Sequence, residues 1–279
     1  MRRWSFAKGH GTQNDFVLIQ DRESMLTVGE AEVRAICNRR TGVGGDGLLR
    51  VVKARHIEGW EGDGDHWFMD YRNADGSVAE MCGNGLRVFA RYLLDEGLAA
   101  GRVIPIATRA GLLEATALRN GQVRVSMGPV QLGQQGVTVS TGAETHRATS
   151  VDVGNPHAVC FVDDLEQLPL RTAPSWSPLE AFPDGVNVEF VRPLGDRHIA
   201  MRVYERGVGE TPSCGTGVVA AAAATAARDR LEPRPGGPLT YRVDVPGGTV
   251  EVELAADQAY LTGPAVIVAH GDLNLPEEL

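Results

Sequence analysis

Cys82 and Cys214 each open the same short phrase. Met81-Cys82-Gly83-Asn84-Gly85 and Ser213-Cys214-Gly215-Thr216-Gly217 lie 132 positions apart (214 − 82), and each leads into an apolar, helix-like stretch. A cysteine at a helix N-terminus faces the positive end of the helix dipole and backbone N–H groups with no helical acceptor, a setting that lowers a thiol pKa. One such site suggests a nucleophile. Two, in what look like duplicated halves, suggest a thiol on each side of a single substrate carbon. A lone base retrieves a proton only on the face it came from, whereas two thiols can remove it on one face and return it on the other. The α-proton of an amino acid is very weakly acidic, so its removal also needs donors on the carboxylate as that group becomes enolate-like. The N–H groups of Gly83, Asn84, Gly215 and Thr216 are candidates for those donors, and glycine lets the backbone approach closely. Because such a pair shares one proton, the two thiols should titrate as a coupled unit.

The elements that must hold these cysteines are also repeated. After the first phrase, Leu86, Phe89, Ala90, Leu93 and Leu94 follow helical spacing, with Gly97 at a C′ position. After the second, Val218 to Ala227 is almost wholly small and apolar, which predicts a helix buried on every side. Gly111-Leu112-Leu113-Glu114 returns as Gly248-Thr249-Val250-Glu251, offset by 137 (248 − 111). Met127-Gly128-Pro129 returns as Thr262-Gly263-Pro264, offset by 135 (263 − 128). Near-constant offsets are the trace of a duplication. Strand patterns cover Asp15–Gln20, Leu48–Val52, Trp67–Tyr71, Gln122–Ser126, Ala158–Val162, Val186–Val191, Ile199–Tyr204 and Thr249–Leu254. The polar, Gly-rich Gln131–Arg147 stretch marks the start of the second half. The expected division is therefore 1–127, completed by 265–279, and 128–264.

Composition excludes several classes. A chain of 279 residues with 43% hydrophobic residues can bury one large core or two medium ones. A net charge of −9 argues against nucleic acid or an anionic membrane as partner. Met1 to Lys8 carries charge with no apolar run behind it, which predicts no export signal. The Ala-rich 218–227 stretch is far too short to span a membrane, so a cytoplasmic protein is expected. Four cysteines without a C-x-x-C pair predict reduced thiols and neither a disulfide framework nor structural zinc. Cys37 and Cys160 read as small core residues. The histidines show no metal spacing, and the Gly42–Gly47 loop lacks the lysine of a phosphate-binding P-loop. No metal site is expected.

Six motifs in order resemble those of the diaminopimelate epimerases. They are Gly9-His10-Gly11-Thr12-Gln13-Asn14-Asp15-Phe16, Gly42-Val43-Gly44-Gly45-Asp46-Gly47, Asn73-Ala74-Asp75-Gly76, Glu80 through Gly85, Gly154-Asn155-Pro156-His157, and Tyr204 through Thr211 running on to Cys214-Gly215-Thr216-Gly217. The resemblance implies an α/β fold of two pseudo-symmetric domains, each a barrel-like mixed or antiparallel sheet around a central helix, with the active site in the cleft between them. It implies a homodimeric isomerase that interconverts LL- and meso-2,6-diaminopimelate for lysine and peptidoglycan precursors, and that uses no cofactor. Residue by residue, it implies that Cys82 and Cys214 are the catalytic thiols, Cys214 as base toward the LL substrate and Cys82 as acid. His157 and Glu205 would set their pKa values. Asn14, Asn73, Asn155, Asn187 and Arg206 would hold the distal, unreacting amino acid group, with Glu205 meeting its ammonium. Two positions depart from the pattern: Gln13 stands where many members have glycine, and Gly47 where some carry a substrate-touching glutamine. Pro212-Ser213 is a further difference, on the approach to Cys214. Competing readings are a racemase of another amino acid on the same scaffold, a cysteine hydrolase built on Cys214 and His157, which leaves Cys82 idle, and a non-catalytic binding module.

Overall fold

The computed structural model describes residues 1–133 and 136–277. Gln134 and Gln135, within the stretch expected to open the second half, and residues 278 and 279, at the end of the segment expected to complete the first, lie outside the described residues. The chain divides into two compact units, Met1–Val125 with Pro264–Leu279, and Ser126–Gly263.

The first unit is a curled mixed sheet. Its strands are β1 (Arg2–Gly11), β2 (Asn14–Gln20), β3 (Gly47–Lys53), β4 (Trp67–Asn73), β5 (Val103–Thr108), β6 (Gly111–Ala117) and β7 (Val123–Gly128), joined by the C-terminal strand Val266–Leu275. β1 pairs antiparallel with that strand and with β2, β2 parallel with β3, β3 antiparallel with β4, β4 parallel with β5, and β5 to β7 antiparallel in succession. Strand alternation sorts the core into two layers. Val17, Ile19 and Leu48 pack with Val33 and Ile36 of helix α1 (Glu30–Cys37). Phe16 and Leu49 point the other way, toward the first turn of helix α2 (Gly83–Asp95), where a Cβ on Gly85 would lie 3.4 Å from Leu49 and 3.5 Å from Phe16. Helix α2 touches β1, β2, β3, β4, β6 and the C-terminal strand, so the sheet wraps around it.

The second unit repeats the plan. β8 (Gln131–Leu132) and β9 (Val137–Thr141) lie within the Gly-rich opening stretch. They are followed by β10 (Glu144–Asp152), β11 (Pro156–Phe161), β12 (Ser175–Ser177), β13 (Asn187–Gly195), β14 (His198–Glu205), β15 (Gly209–Thr211), β16 (Leu239–Val245), β17 (Gly248–Leu254) and β18 (Ala259–Gly263). From β10 the neighbours run antiparallel to β11, parallel to β13, antiparallel to β14, parallel to β16, then antiparallel through β17 and β18. That order of six pairings is the order of β1 to β7. Helix α3 (Gly215–Arg228) falls between β14 and β16 as α2 falls between β4 and β5. It is nearly all buried, as its small residues require, against β10, β11, β13, β14 and β16 to β18. Ala158, Cys160, Val188 and Phe190 face a separate apolar cluster with Val137, Val139 and Phe182. Their alternate neighbours His157 and Glu189 therefore face the side on which α3 packs.

Both helices end alike. The N–H groups of Gly97 and Leu98 bond back to Leu94 and Leu93, and those of Arg230 and Leu231 to Ala227 and Ala226. All eight expected strands are present, seven of them within two residues of their expected ends, while β13 runs four residues past Val191 to Gly195. Strands β1, β5, β8, β9, β10, β12, β15, β16 and the C-terminal one were not anticipated.

The turn from β1 to β2 holds Thr12 at φ 51° and Gln13 at φ 64°, with Gly11 paired to Asn14. Two consecutive left-handed residues make the I′ geometry that favours glycine or asparagine. Thr12 is 1% exposed and accepts a hydrogen bond from Arg87, while Gln13 is exposed. Gln13→Gly should remove backbone strain without touching a contact, raising the unfolding free energy by about 0.5–1 kcal/mol in urea titration. An unchanged or lower midpoint would mean that the turn is not strained.

Candidate active site

In the first unit the sequence phrase around Cys82 becomes a helix cap. Cys82 is the N-cap of α2 with extended backbone, φ −144° and ψ 117°, and its Sγ accepts the Gly85 N–H at 3.3 Å. Gly83 and Asn84 are the first two helical residues, whose N–H groups have no acceptor within a helix. Asn14, at the start of β2, places its Oδ1 3.6 Å from Cys82 Sγ and 3.2 Å from Asn84 Nδ2. Its Nδ2 donates to Asp46 Oδ2 at 2.8 Å, and that bond fixes which way the amide points. Asp46 also accepts from the Asp15 N–H at 3.0 Å and from Arg39 at 2.7 Å. Arg39 reaches Asp15 as well, and Lys8 pairs with Asp15 at 2.6 Å. Burial alone would raise the Asp15 carboxyl, but Arg39 and Lys8 hold it well below the usual carboxylate range. The Gly42–Gly47 loop therefore delivers Asp46, a support for Asn14 that motif matching left unassigned. Asn73, at the end of β4 opposite Gly47, accepts from the Tyr71 hydroxyl at 2.9 Å and donates to Ser77 at 3.0 Å. Gly47 has a steric reason to be glycine: a Cβ there would lie 2.5 Å from the Arg72 carbonyl oxygen.

Arg87, in the second turn of α2, is another residue that pattern alone did not single out. It is fully buried, donates to Thr12 and to the Pro264 carbonyl, and keeps Nη1 without a hydrogen-bond partner among the described residues. Burial lowers its pKa to about 10, and Cys82 opposes that shift by charge interaction.

In the second unit the same cap recurs. Cys214 is the N-cap of α3, with φ −115° and ψ 119°, and its Sγ accepts the Gly217 N–H at 3.4 Å. The Thr216 hydroxyl lies 3.5 Å from the sulfur, and Gly215 and Thr216 open the helix. The lowered thiol pKa expected of a helix start does not hold here. Burial pushes the Cys214 thiol well up, and the carboxylates of Glu205 and Glu189 push it further, against the weaker pull of Thr216 and the Gly217 N–H. At 6% exposure, desolvation outweighs the helix terminus.

The remaining candidates of this unit form one hydrogen-bonded set. His157 stands beside Asn187 in the parallel register of β11 and β13. Its Nε2 lies 2.9 Å from Asn155 Oδ1, and its Nδ1 2.7 Å from Glu189 Oε1. Asn187 donates to the Pro156 carbonyl at 3.2 Å and accepts the Arg206 N–H at 3.0 Å. The Arg206 side chain is exposed and reaches the Asp184 carbonyl at 3.1 Å. Glu205 accepts from the Thr211 hydroxyl across the β14–β15 turn. Glu189 was missed because an alternating strand pattern gives no sign that one inward position carries a carboxylate with a partner.

Cys37 and Cys160 are buried, and burial pushes both thiols up to about 12, so neither resembles the capping pair. No cysteine forms a disulfide. Among the described residues no group of three His, Cys, Asp or Glu could hold a metal ion, and no helix is long and apolar enough to cross a membrane.

A family model for diaminopimelate epimerase matches residues 6–133 and 149–268. The chain belongs to the diaminopimelate epimerase family. A diaminopimelate epimerase of Streptomyces coelicolor is 53% identical over 278 residues, spanning 98% of this chain and 96% of the relative. One from Corynebacterium glutamicum is 47% identical, spanning 97% and 98%. Among solved structures, a hydroxyproline epimerase from Agrobacterium vitis matches with TM-score 0.71 at 17% identity, over 98% of this chain and 92% of that one. A PhzF-family phenazine biosynthesis protein from Bacillus anthracis matches with TM-score 0.70 at 17% identity, over 99% and 100%. These two share the fold. The diaminopimelate epimerase family thus has, in this chain, a mixed α/β fold of two repeated units with a cysteine capping the central helix of each.

Proposed function

We propose that this isomerase, an amino acid epimerase that interconverts LL- and meso-2,6-diaminopimelate, inverts one α-carbon with two thiols and no cofactor. One observation carries the two-thiol reading: in each unit a cysteine caps the central helix, with its sulfur accepting the N–H three residues on. Equivalent caps in a duplicated fold supply equivalent acid–base groups. Each unit, with the division near residue 128, contributes one of them.

The substrate α-carboxylate would be held by the N–H groups of Gly83, Asn84, Gly215 and Thr216, which stabilise charge as it moves onto the carboxylate oxygens. With the LL substrate, Cys214 takes the α-proton and Cys82 gives one back on the other face. Asn14, Asn73, Asn155, Asn187 and Arg206 bind the distal amino acid group. Glu205 meets the distal ammonium, and His157 and Glu205 tune the thiols. The surroundings of Cys214 favour its protonated form, which gives substrate binding a second role. An ammonium beside Glu205 cancels one of the two carboxylates that oppose ionisation, so the base forms once substrate is in place. The protein would act as a cytoplasmic homodimer in lysine and peptidoglycan precursor supply.

The test is purified protein under reducing conditions with LL-diaminopimelate, resolved on a chiral column. Meso product should form without added cofactor, while lysine, glutamate and proline stay unconverted because each leaves the distal set unpaired. Racemisation of a monoamino acid in place of diaminopimelate would support the other reading of the scaffold.

A further inference from the structure

We propose that Glu189 is a positioning residue of the thiol centre, fixing His157 on one side and lying against the first turn of α3, which Cys214 caps, on the other. The carboxylate is wholly buried. Its Oε1 is 2.7 Å from His157 Nδ1, and its Oε2 has no hydrogen-bond partner among the described residues. A buried carboxylate with an unsatisfied oxygen is costly, and a strand position packed against an alanine-rich helix would otherwise hold an apolar side chain.

Two contacts tie Glu189 to the sulfur. A Cβ on Gly217 would fall 2.6 Å from Glu189 Oε1, so the carboxylate fits against the helix only because the third helical residue is glycine. The N–H of that same glycine donates to Cys214 Sγ at 3.4 Å. The carboxylate thus lies beside the residue whose amide holds the sulfur. On its far side it holds His157 Nδ1, which turns Nε2 toward Asn155, 2.9 Å away. A single buried carboxyl group therefore lies against the thiol cap and, through His157, orders an asparagine of the proposed distal subsite.

The charged and titratable groups facing Cys214 are Glu189 on β13, Glu205 on β14 and, through Glu189, His157 on β11. Helix α3 itself carries no acidic residue in its first turn. The two carboxylates differ in what can neutralise them. Glu205 stands in the set proposed to meet substrate, whereas Glu189 is fully enclosed, away from any group that substrate brings. Glu189 therefore sets a constant opposition to the Cys214 thiolate, and Glu205 sets the part that substrate can lift.

This inference rests on Cys214 being an acting thiol, but its test reads the sulfur without turnover. In a background carrying Cys82→Ala and Cys160→Ala, thiolate absorbance at 240 nm is titrated with and without Glu189→Gln. Cys160, which Glu189 also opposes, is alanine in both proteins, and Cys37 is common to both, so the difference reports Cys214. Loss of the charge should move the Cys214 midpoint down by at least about one pH unit, a tenfold change in ionisation constant. In the protein with both cysteines, Glu189→Gln should lower kcat more than it raises KM, because the carboxylate that holds His157 and lies against the Cys214 cap is lost while Glu205 and the distal set still bind substrate. Glu189→Asp keeps the charge but shortens the reach to His157, and should leave the midpoint within about half a unit of the parent. It also serves if the glutamine variant does not fold. An unchanged midpoint in Glu189→Gln, or an aspartate variant that titrates at a midpoint lowered by a full unit, would overturn the assignment. A changed midpoint with no epimerase activity in the parent would instead count against the epimerase reading alone.

Discussion

Cys82→Ala and Cys214→Ala should each lower epimerase turnover by about 10⁴-fold or more, the upper range for a positioned acid–base group. Each substitution removes the only proton carrier proposed for one face of the α-carbon. Alanine also deletes a helix cap, because each sulfur accepts the N–H three residues into its helix. About 1 kcal/mol of stability should go with it. Serine separates the two effects. Its hydroxyl restores the cap yet is a far weaker acid than a thiol, so Cys82→Ser and Cys214→Ser should recover thermal stability and not activity. Purified variants assayed for meso product and by thermal unfolding decide the matter. A cysteine hydrolase built on Cys214 and His157 would survive loss of Cys82, so a Cys82→Ala protein with full activity toward any substrate would end the two-thiol account.

Arg206→Met should lower kcat/KM for LL-diaminopimelate by about 10²–10³-fold, the usual cost of removing one partner from a desolvated charge pair. The guanidinium is suited to fork onto the distal carboxylate. Methionine keeps much of the stem, and the backbone N–H that Asn187 accepts is unaffected, so the loop around Gly185 and the Asn187 amide should stay in place. The loss should fall mainly on KM, since the distal group does not change during the reaction. Lysine substitution should recover part of the effect as a point charge without the fork. A variant with parental KM would remove Arg206 from the distal set.

Much of the site was legible because its chemistry is written in short contiguous phrases. The two Cys-Gly-x-Gly segments fix both caps, and a helix start is a local structure that needs no distant partner. Helix α3 followed from its alanines, and the repeat from the offsets between Gly111 and Gly248 and between Gly128 and Gly263. The misses are long-range. β1 was passed over because Arg2, Arg3 and Lys8 hide the inward positions of Trp4, Ala7 and Gly9, and its partner is the far end of the chain. Asp46, Arg87 and Glu189 escaped for a related reason. A charged residue in a strand, helix or loop looks solvated until the fold shows what it faces, and here one supports Asn14, one is enclosed on the buried face of α2, and one clamps His157. The protonation of Cys214 was misjudged on the same ground. A helix N-terminus is local and readable, whereas burial and two carboxylates from other strands come only with the fold.

The central claim is that different groups remove and return the α-proton. Purified protein should be mixed with LL-diaminopimelate in deuterated water under reducing conditions, and product and residual substrate analysed early in the reaction. A proton leaving to one thiol while solvent deuterium arrives from the other predicts meso product with one deuterium at the inverted carbon, alongside unlabelled substrate. Product that keeps its original proton, or deuterium appearing equally in recovered substrate and product, would mean that a single group serves both faces.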